Sequence, residues 1–335
     1  MFTPPELQEI RRLLTKEKRI VITSHYNPDG DAIGSSLGMY HYLKNIGIEA
    51  NVVVPNDFPK FLKWMPGTRD MIIAEYKKKQ ARDYINEADV LIIVDYNATH
   101  RSGNLMKTWI ESSRSIKILI DHHQQPEDFD YVYSDISIPA TCQMVYHFVE
   151  AMGEADALDA LAVECLYTGI MTDTGGFRFR STSAETHRVV AELIDRGADP
   201  ARIAENTWDT NSLSKISLLS RVLGRIELTK ENKVALLYLT RKDLEEIHFE
   251  KGDTDGFVNY GLSILGVKMS VFFMEDLYED FIKISFRSKG GLDVNTFSRK
   301  FFNGGGHINA AGGRSRKNLQ DTIRYFKEKI EPENF

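Results

Sequence analysis

The sequence is poor in cysteine, has no long apolar run and shows no excess of basic charge. Its only two cysteines, Cys142 and Cys165, cannot build a disulfide framework in a chain of 335 residues, so an intracellular, cytoplasmic protein is expected. Both lie in helical patterns and read as small apolar filler. No stretch approaches the roughly 20 apolar residues of a membrane span, so no membrane partner is expected. The opening segment MFTPPELQEIRRLLTKEKR is charged and has no apolar core followed by a cleavage site, unlike a signal peptide. Forty-two Lys and Arg against 48 Asp and Glu leave a net charge of -6. A protein that tracks long nucleic acid usually carries a basic surplus, because phosphate neutralisation dominates its affinity. A small phosphorylated ligand, met by a few placed cations, suits the balance better. Acidity is also what a chain that holds metal would show.

What is present is an alternation of apolar β-type runs with amphipathic helical ones, the signature of an α/β fold with a mostly parallel sheet flanked by helices. Strands are predicted at 19–25 (RIVITSH), 49–55, 90–95 (VLIIVD) and 116–121 (IKILID). A helix is predicted over 32–45, with Ile33, Leu37, Tyr40 and Leu43 on one face. Further helices are expected near 139–151, with Pro139 in its first turn, and near 156–171, 183–196 and 199–222, the last broken around 209–212. The basic run KKKQAR (77–82) reads as a solvated helix face. Beyond the break the pattern changes to antiparallel β: a hairpin across Lys230–Asn232, then a pair from VKMSVFFME and DFIKISFRS. A helix over Val294–Phe302 and a glycine-rich run follow. The expected division is a first domain over 1–205, a helical linker over 206–223 and a smaller α/β domain over 224–335.

Three strands run directly into polar residues, His25, Asp95 and Asp121, and ligands of open α/β sheets collect at the carboxyl ends of strands. His25-Tyr-Asn-Pro-Asp29-Gly-Asp31 puts one imidazole and two carboxylates around a bend. Taken alone, it also reads as an Asx-rich turn with Asp31 capping the next helix. With Asp95, with Asp121-His122-His123 and with Asp173 in GIMTDTGGFRF, five Asp and three His converge on what should be one sheet edge. Their mutual repulsion would be large unless cations sit between them. Carboxylate-rich ligation with imidazoles and no thiolate suits Mn²⁺, with Mg²⁺ or Fe²⁺ as substitutes. Enough ligands exist for two ions, the usual device for hydrolysing phosphate esters.

HYNPDGD, VDYNATHR, IDHH and MTDTGG, in this order, closely resemble the four motifs of the DHH phosphoesterase superfamily. FRSKGGLDVNTFSRKFFNGGGHINAAGG resembles its companion DHHA1 substrate-binding domain. The compact layout resembles the oligoribonuclease and pAp-phosphatase group within that superfamily. The resemblance implies that His25 and Asp29 hold a first ion, Asp31, His122 and Asp173 a second, and that Asp95 bridges them. It also implies that Asp121 supports His122, and that His123 faces the phosphate as hydrogen-bond donor or proton carrier. Arg101 recurs in the second motif and would steady the substrate or the lip of the site, unless it is a surface arginine paired with a neighbouring acid.

In the second domain Gly304, Gly305 and Gly306 would bring backbone N–H groups close to a phosphate, with His307 and Arg287 adding donors. A glycine run taken alone is as often a plain loop. Asn303 stands where a fourth glycine is common, though Asn tolerates positive φ. Arg314 and Arg316 read as solvated strand-end charges. The implied activity is two-metal, hydroxide-based cleavage of short RNA oligonucleotides to mononucleotides, removal of the 3′-phosphate of pAp, or both. Rival readings are a cyclic- or linear-dinucleotide phosphodiesterase, a RecJ-like single-strand DNA exonuclease and a non-catalytic nucleotide sensor. No long nucleic acid is expected as partner. A homodimer is compatible with a chain of this size.

Overall fold

The computed structural model describes residues 1–250 and 252–330 and divides into two units between Thr210 and Asn211. The division falls inside the expected linker. Helix 213–223, expected within that linker, packs with the second unit through Leu218 and Val222.

In chain order, the first unit runs α1 (Pro4–Leu13), β1 (Ile20–Thr23), α2 (Gly30–Asn45), β2 (Ala50–Val54), β3 (Ile72–Ile73), α3 (Lys78–Glu87) and β4 (Val90–Val94). It continues α4 (Gly103–Ser112), β5 (Ile116–Asp121), β6 (Tyr131–Ser134), α5 (Thr141–Ala151), α6 (Ala160–Asp173), α7 (Ala184–Asp195) and α8 (Pro200–Trp208). The strands form a parallel sheet in the order β3-β2-β1-β4-β5-β6. The chain leaves β1 toward β2 and β3, then returns on the other side at β4. That reversal between β1 and β4 is the switch point at which α/β sheets open a crevice. Buried runs such as Val90–Val94 explain why the strands read as continuous apolar segments.

Helix α2 departs from the amphipathic reading. It is buried from Gly30 to Met39 on every side, and only half-buried at Tyr40. It lies among β1, β2, α5 and α6, and its closest approach is to α6. Gly30, Gly34 and Gly38, one turn apart, make that approach possible. A Cβ on Gly34 would stand 2.6 Å from the Cys165 carbonyl oxygen and 2.8 Å from the Cys142 sulfur. Cys142 and Cys165 are buried here, as filler between helices. Pro139 lies ahead of α5, outside its first turn, and Ala140 is the cap residue.

The second unit comprises α9 (Leu213–Leu223), β7 (Glu227–Thr229), β8 (Val234–Leu239), α10 (Arg241–Glu246), α11 (Phe257–Leu262), β9 (Met269–Glu275) and β10 (Ile282–Ser288). Helix α12 (Val294–Phe302), β11 (Gly305–His307), β12 (Ala310–Ser315) and α13 (Leu319–Ile330) complete it. Its sheet is mixed, in the order β11-β12-β10-β9-β8-β7, with β8 and β9 parallel and the other pairs antiparallel. Lys230, Glu231 and Asn232 all take positive φ in the β7–β8 turn. An aromatic core of Phe273, Phe286, Phe297, Phe302 and Phe326 fills one side of the sheet. Among the described residues, no helix is long and apolar enough to cross a membrane.

Candidate metal centre

Each sequence-predicted ligand sits at the carboxyl edge of the first sheet or on a helix end facing it. His25 follows β1, and the loop after it is pinned from the end of β2: the Asn27 N–H donates to Asn56 Oδ1 at 2.7 Å, and Asn56 Nδ2 to Asn27 Oδ1 at 3.0 Å. Asp29, not Asp31, caps α2, its Oδ1 accepting from the N–H groups of Asp31 and Ala32 at 3.1 Å each. Asp31 therefore lies in the first turn of α2, fully buried. Asp95 follows β4 with φ of 63°, a left-handed conformation that costs most residues energy but that Asp accepts better than most. Asp173 is the last residue of α6.

Two imidazoles bracket Asp95. His25 Nε2 is 3.4 Å from Asp95 Oδ2 and 3.8 Å from Asp29 Oδ1. His122 Nε2 is 3.4 Å from Asp95 Oδ1, 3.6 Å from Asp173 Oδ2 and 3.8 Å from Asp31 Oδ2. Most of these separations are long for hydrogen bonds. They are close to the spacing of two ligands that share an ion, about 3.0–3.4 Å apart when each stands about 2.1 Å from it. Both rings are oriented from behind: His25 Nδ1 lies 2.9 Å from its neighbour's carbonyl oxygen, that of Tyr26, and His122 Nδ1 lies 3.2 Å from the Ile138 oxygen. Donation from Nδ1 leaves Nε2 as the ligating atom, the usual outer-shell device of metal-binding histidines.

The electrostatics ask for cations. Burial, with the charges of Asp95 and Asp173, pushes the Asp31 carboxyl well above the usual carboxylate range. Burial pushes Asp173 up to about 7, with Asp29 and Asp95 adding and His122 subtracting. Burial disfavours the imidazolium of His25, yet Asp29 and Asp95 outweigh it and hold its pKa at about 10. At the same time Asp31 accepts two helix N–H groups, from Thr141 at 2.6 Å and Cys142 at 2.9 Å, an arrangement made for the ionised form. Two divalent ions between these groups would satisfy every carboxylate at once. The residues fit the ions.

Asp121 requires a correction. It was expected behind His122, but its Oδ1 accepts from His123 Nδ1 at 2.7 Å and its Oδ2 from the His123 backbone N–H at 3.0 Å. The imidazole it orients is His123, whose Nδ1 is also 3.7 Å from Asp95 Oδ1. Arg101 is half-buried, and its carbonyl accepts the Tyr26 N–H at 2.7 Å, so its turn abuts the His25 loop. Sequence reading missed Thr141, whose hydroxyl donates to Asp95 Oδ1 at 3.0 Å, and the amides at the start of α5. A backbone donor leaves no trace in residue type; the one available signal was a threonine opening a helix.

In the second unit the glycine run serves the fold first. A Cβ on Gly304 would collide with the Gly312 carbonyl and one on Gly306 with that of Ala310. The Gly306 N–H donates to Asn295 Oδ1 at 2.9 Å, and that of Gly304 points to the Ser298 oxygen at 3.4 Å. Two of the three amides expected at a phosphate, those of Gly304 and Gly306, are thus directed at the fold itself, while His307 is exposed. Asn303 takes φ of 48° and ends α12, so the missing fourth glycine costs the turn nothing visible. Arg287 is half-buried on β10, where it lines a cavity of about 70 Å³ with Lys283, Ser285, Asp255 and Phe272.

The family model described as "DHH family, N-terminal domain" matches residues 19–170, and that of the DHHA1 domain matches residues 231–331. The chain is 34% identical over 300 residues, 88% of its length and 84% of the relative's, to a Thermus thermophilus protein named bifunctional oligoribonuclease and PAP phosphatase NrnA. It is 26% identical over 306 residues, 91% of each chain, to the Bacillus subtilis protein of the same name. Its fold is similar to the crystal structure of an exopolyphosphatase-related protein from Bacteroides fragilis, with a TM-score of 0.94, 38% identity, and 98% and 96% of the two chains covered.

Proposed function

The chain belongs to the DHH family and carries the DHHA1 domain, and on that premise we propose that it hydrolyses phosphate esters of short nucleotides. The substrates in this reading are short oligoribonucleotides, cut to mononucleotides, and pAp, which loses its 3′-phosphate. The observation that carries it is Asp95, whose two oxygens face opposite imidazoles at 3.4 Å each, as a carboxylate shared by two ions must.

His25, Asp29 and Asp95 would hold one ion, and Asp31, Asp95, His122 and Asp173 the other. Two of the four groups of three with ligand atoms within 4.8 Å of one another, His25-Asp29-Asp95 and Asp31-Asp95-His122, follow that partition. Bound there, two divalent ions supply Lewis acidity toward a phosphoryl group and lower the pKa of water near it. Manganese fits the oxygen-rich, thiolate-free donor set, with magnesium as its substitute.

The remaining work falls to side chains. Thr141 and the first amides of α5 fix the orientation of Asp31 and Asp95. A carboxylate only accepts, so the Asp121 contact keeps the proton of His123 on Nδ1 and leaves Nε2 to carry a proton to the leaving oxygen. His307 and Arg287 would bind a phosphate of the nucleotide. A net charge of -6 weighs against a long polyanion as substrate.

The test is turnover by the purified protein with Mn²⁺ of pAp, pApA, cyclic di-AMP and RNA and DNA of increasing length. The highest kcat/KM is expected on pAp or the shortest RNA. Asp95→Ala is expected to abolish it, because both ions lose a ligand. Preference for the cyclic dinucleotide would move the protein to dinucleotide hydrolysis, and equal rates on long single-stranded DNA would make it a RecJ-like exonuclease. Full activity after exhaustive chelation would end the metal reading.

A further inference from the structure

The segment after Asp173 is not used by the metal centre, and its construction is unusual. Gly175, Gly176 and Phe177 take φ of 58°, 73° and 64° in succession, folding the chain back onto the end of α6. The N–H groups of Arg178 and Phe179 both reach the Thr174 carbonyl, at 3.1 Å each. That tether holds Phe179 beside Thr174, the residue next to a proposed ligand. The two phenylalanines then part company. Phe177 turns inward, onto Tyr167 at 6.0 Å and His187 at 5.6 Å between ring centroids. Phe179 lies against Gly175 and remains 40% exposed, so the core does not need it.

A second ring meets the same turn. Trp208, the last residue of α8, rests against Gly176, where a Cβ would stand 2.8 Å from its ring, and it is 45% exposed. Two large, partly open aromatic rings therefore pack on adjacent glycines immediately after Asp173. Arg178 and Arg180 are exposed on either side of Phe179, and the Arg178 guanidinium is 5.8 Å from its ring centroid. Exposed aromatics interleaved with arginine make a platform for a nucleobase, because every base has a π-face and a neighbouring phosphate.

We propose that Phe179 and Trp208 receive the base of the nucleotide whose phosphate lies at the metal centre, with Arg178 and Arg180 supplying positive charge around it. The inference rests on the phosphoesterase reading, which it deepens by naming what selects nucleotides over other phosphate esters. Stacking on an aromatic side chain is worth about 1–3 kcal/mol per base, or roughly 5–150-fold in affinity.

The test compares binding of AMP and of ribose 5-phosphate to the full chain with Mn²⁺, by calorimetry, in wild type, Phe179→Ala, Trp208→Ala and the aromatic replacements Phe179→Tyr and Trp208→Phe. Wild type is expected to bind AMP at least about fivefold more tightly than the base-free sugar phosphate. Each alanine variant should lose most of that advantage while its ribose 5-phosphate affinity stays the same, and the aromatic variants should keep it. Equal affinity of wild type for the two ligands would overturn the proposal, as would an advantage that survives both alanine changes. Hydrolysis is scored separately. If base-dependent binding persists but no short nucleotide is cleaved, the proposed activity fails and the platform stands.

Discussion

Asp121 and His123 form the pair whose consequence is sharpest at the scale of single residues. Asp121 is fully buried and spends one oxygen on the His123 ring and the other on its backbone N–H. Removing the acceptor frees the ring to rotate and to shift its proton, without taking a ligand from either proposed ion. General acid catalysis of this kind contributes about 10²–10⁴-fold. Asp121→Asn and His123→Ala are therefore expected to lower kcat on pApA by about that range, with metal content unchanged by elemental analysis. The loss should be much smaller on a p-nitrophenyl phosphodiester, whose leaving group departs without a proton. Equal losses on both substrates would mean that His123 binds a metal or shapes the site rather than moving a proton. The sequence named both residues because they stand together at a strand end, but the family resemblance paired Asp121 with His122 rather than with His123. Adjacent histidines after a strand point different ways, and only the fold decides which one turns back toward Asp121.

At the scale of elements, the site is a product of how closely α2 and α6 approach. Asp31 opens one helix and Asp173 ends the other, so the spacing between helices sets the spacing between carboxylates. The Gly30, Gly34 and Gly38 stripe allows that approach, and at Gly34 the obstacle to any side chain is a backbone carbonyl that cannot swing away. Gly34→Val is expected to force the helices apart, destabilising the first unit by about 1–3 kcal/mol and weakening Mn²⁺ binding. The measurement is the urea midpoint by tryptophan fluorescence, together with metal affinity by calorimetry. Unchanged metal affinity would show that the carboxylate spacing is set elsewhere. Four of the six strands of the first sheet were legible because buried parallel strands write themselves as unbroken apolar runs, three of them ending in Asp or His, whereas the short edge strands β3 and β6 carry no such run. The interior position of α2 was not legible: Ser35, Ser36 and His41 along it are buried polar residues, and an interior helix can carry them only where neighbours accept their protons. Ser35 and Ser36 do so by donating to carbonyls one turn back, those of Asp31 and Ala32. The glycine run at 304–306 was legible as a special backbone, but not as one required by the hairpin itself.

At the scale of the whole molecule the two units have separate cores, and tryptophan occurs only in the first, at Trp64, Trp109 and Trp208. Fluorescence thus follows one unit, while hydrogen exchange in β8 to β10 follows the other. The second unit carries its own acid-sensitive element. Asp243, 4% exposed, closes the capping box of α10 and receives Arg221 Nη1 at 2.8 Å and Arg225 Nη1 at 2.5 Å and Nη2 at 3.0 Å. Burial works against its charge, but Arg225, Thr240 and Arg221 outweigh it and hold the carboxyl well below its ordinary value near 3.8. A group depressed in the folded state stabilises fully above its unfolded pKa, and that contribution drains away as pH falls toward the folded one. Asp243→Asn takes the charged acceptor from two arginines that are themselves about a third exposed, at 33% and 34%, and is expected to cost the second unit about 1.5–3 kcal/mol at pH 7. Below pH 4 the wild-type carboxyl begins to protonate during unfolding, so the gap between the two proteins should narrow steadily with acid. Hydrogen exchange of β8 to β10 amides across that range reads the gap directly. A gap that stays constant down to pH 2, or that widens, would show that the arginines hold the helix by packing and that the charge of Asp243 contributes little.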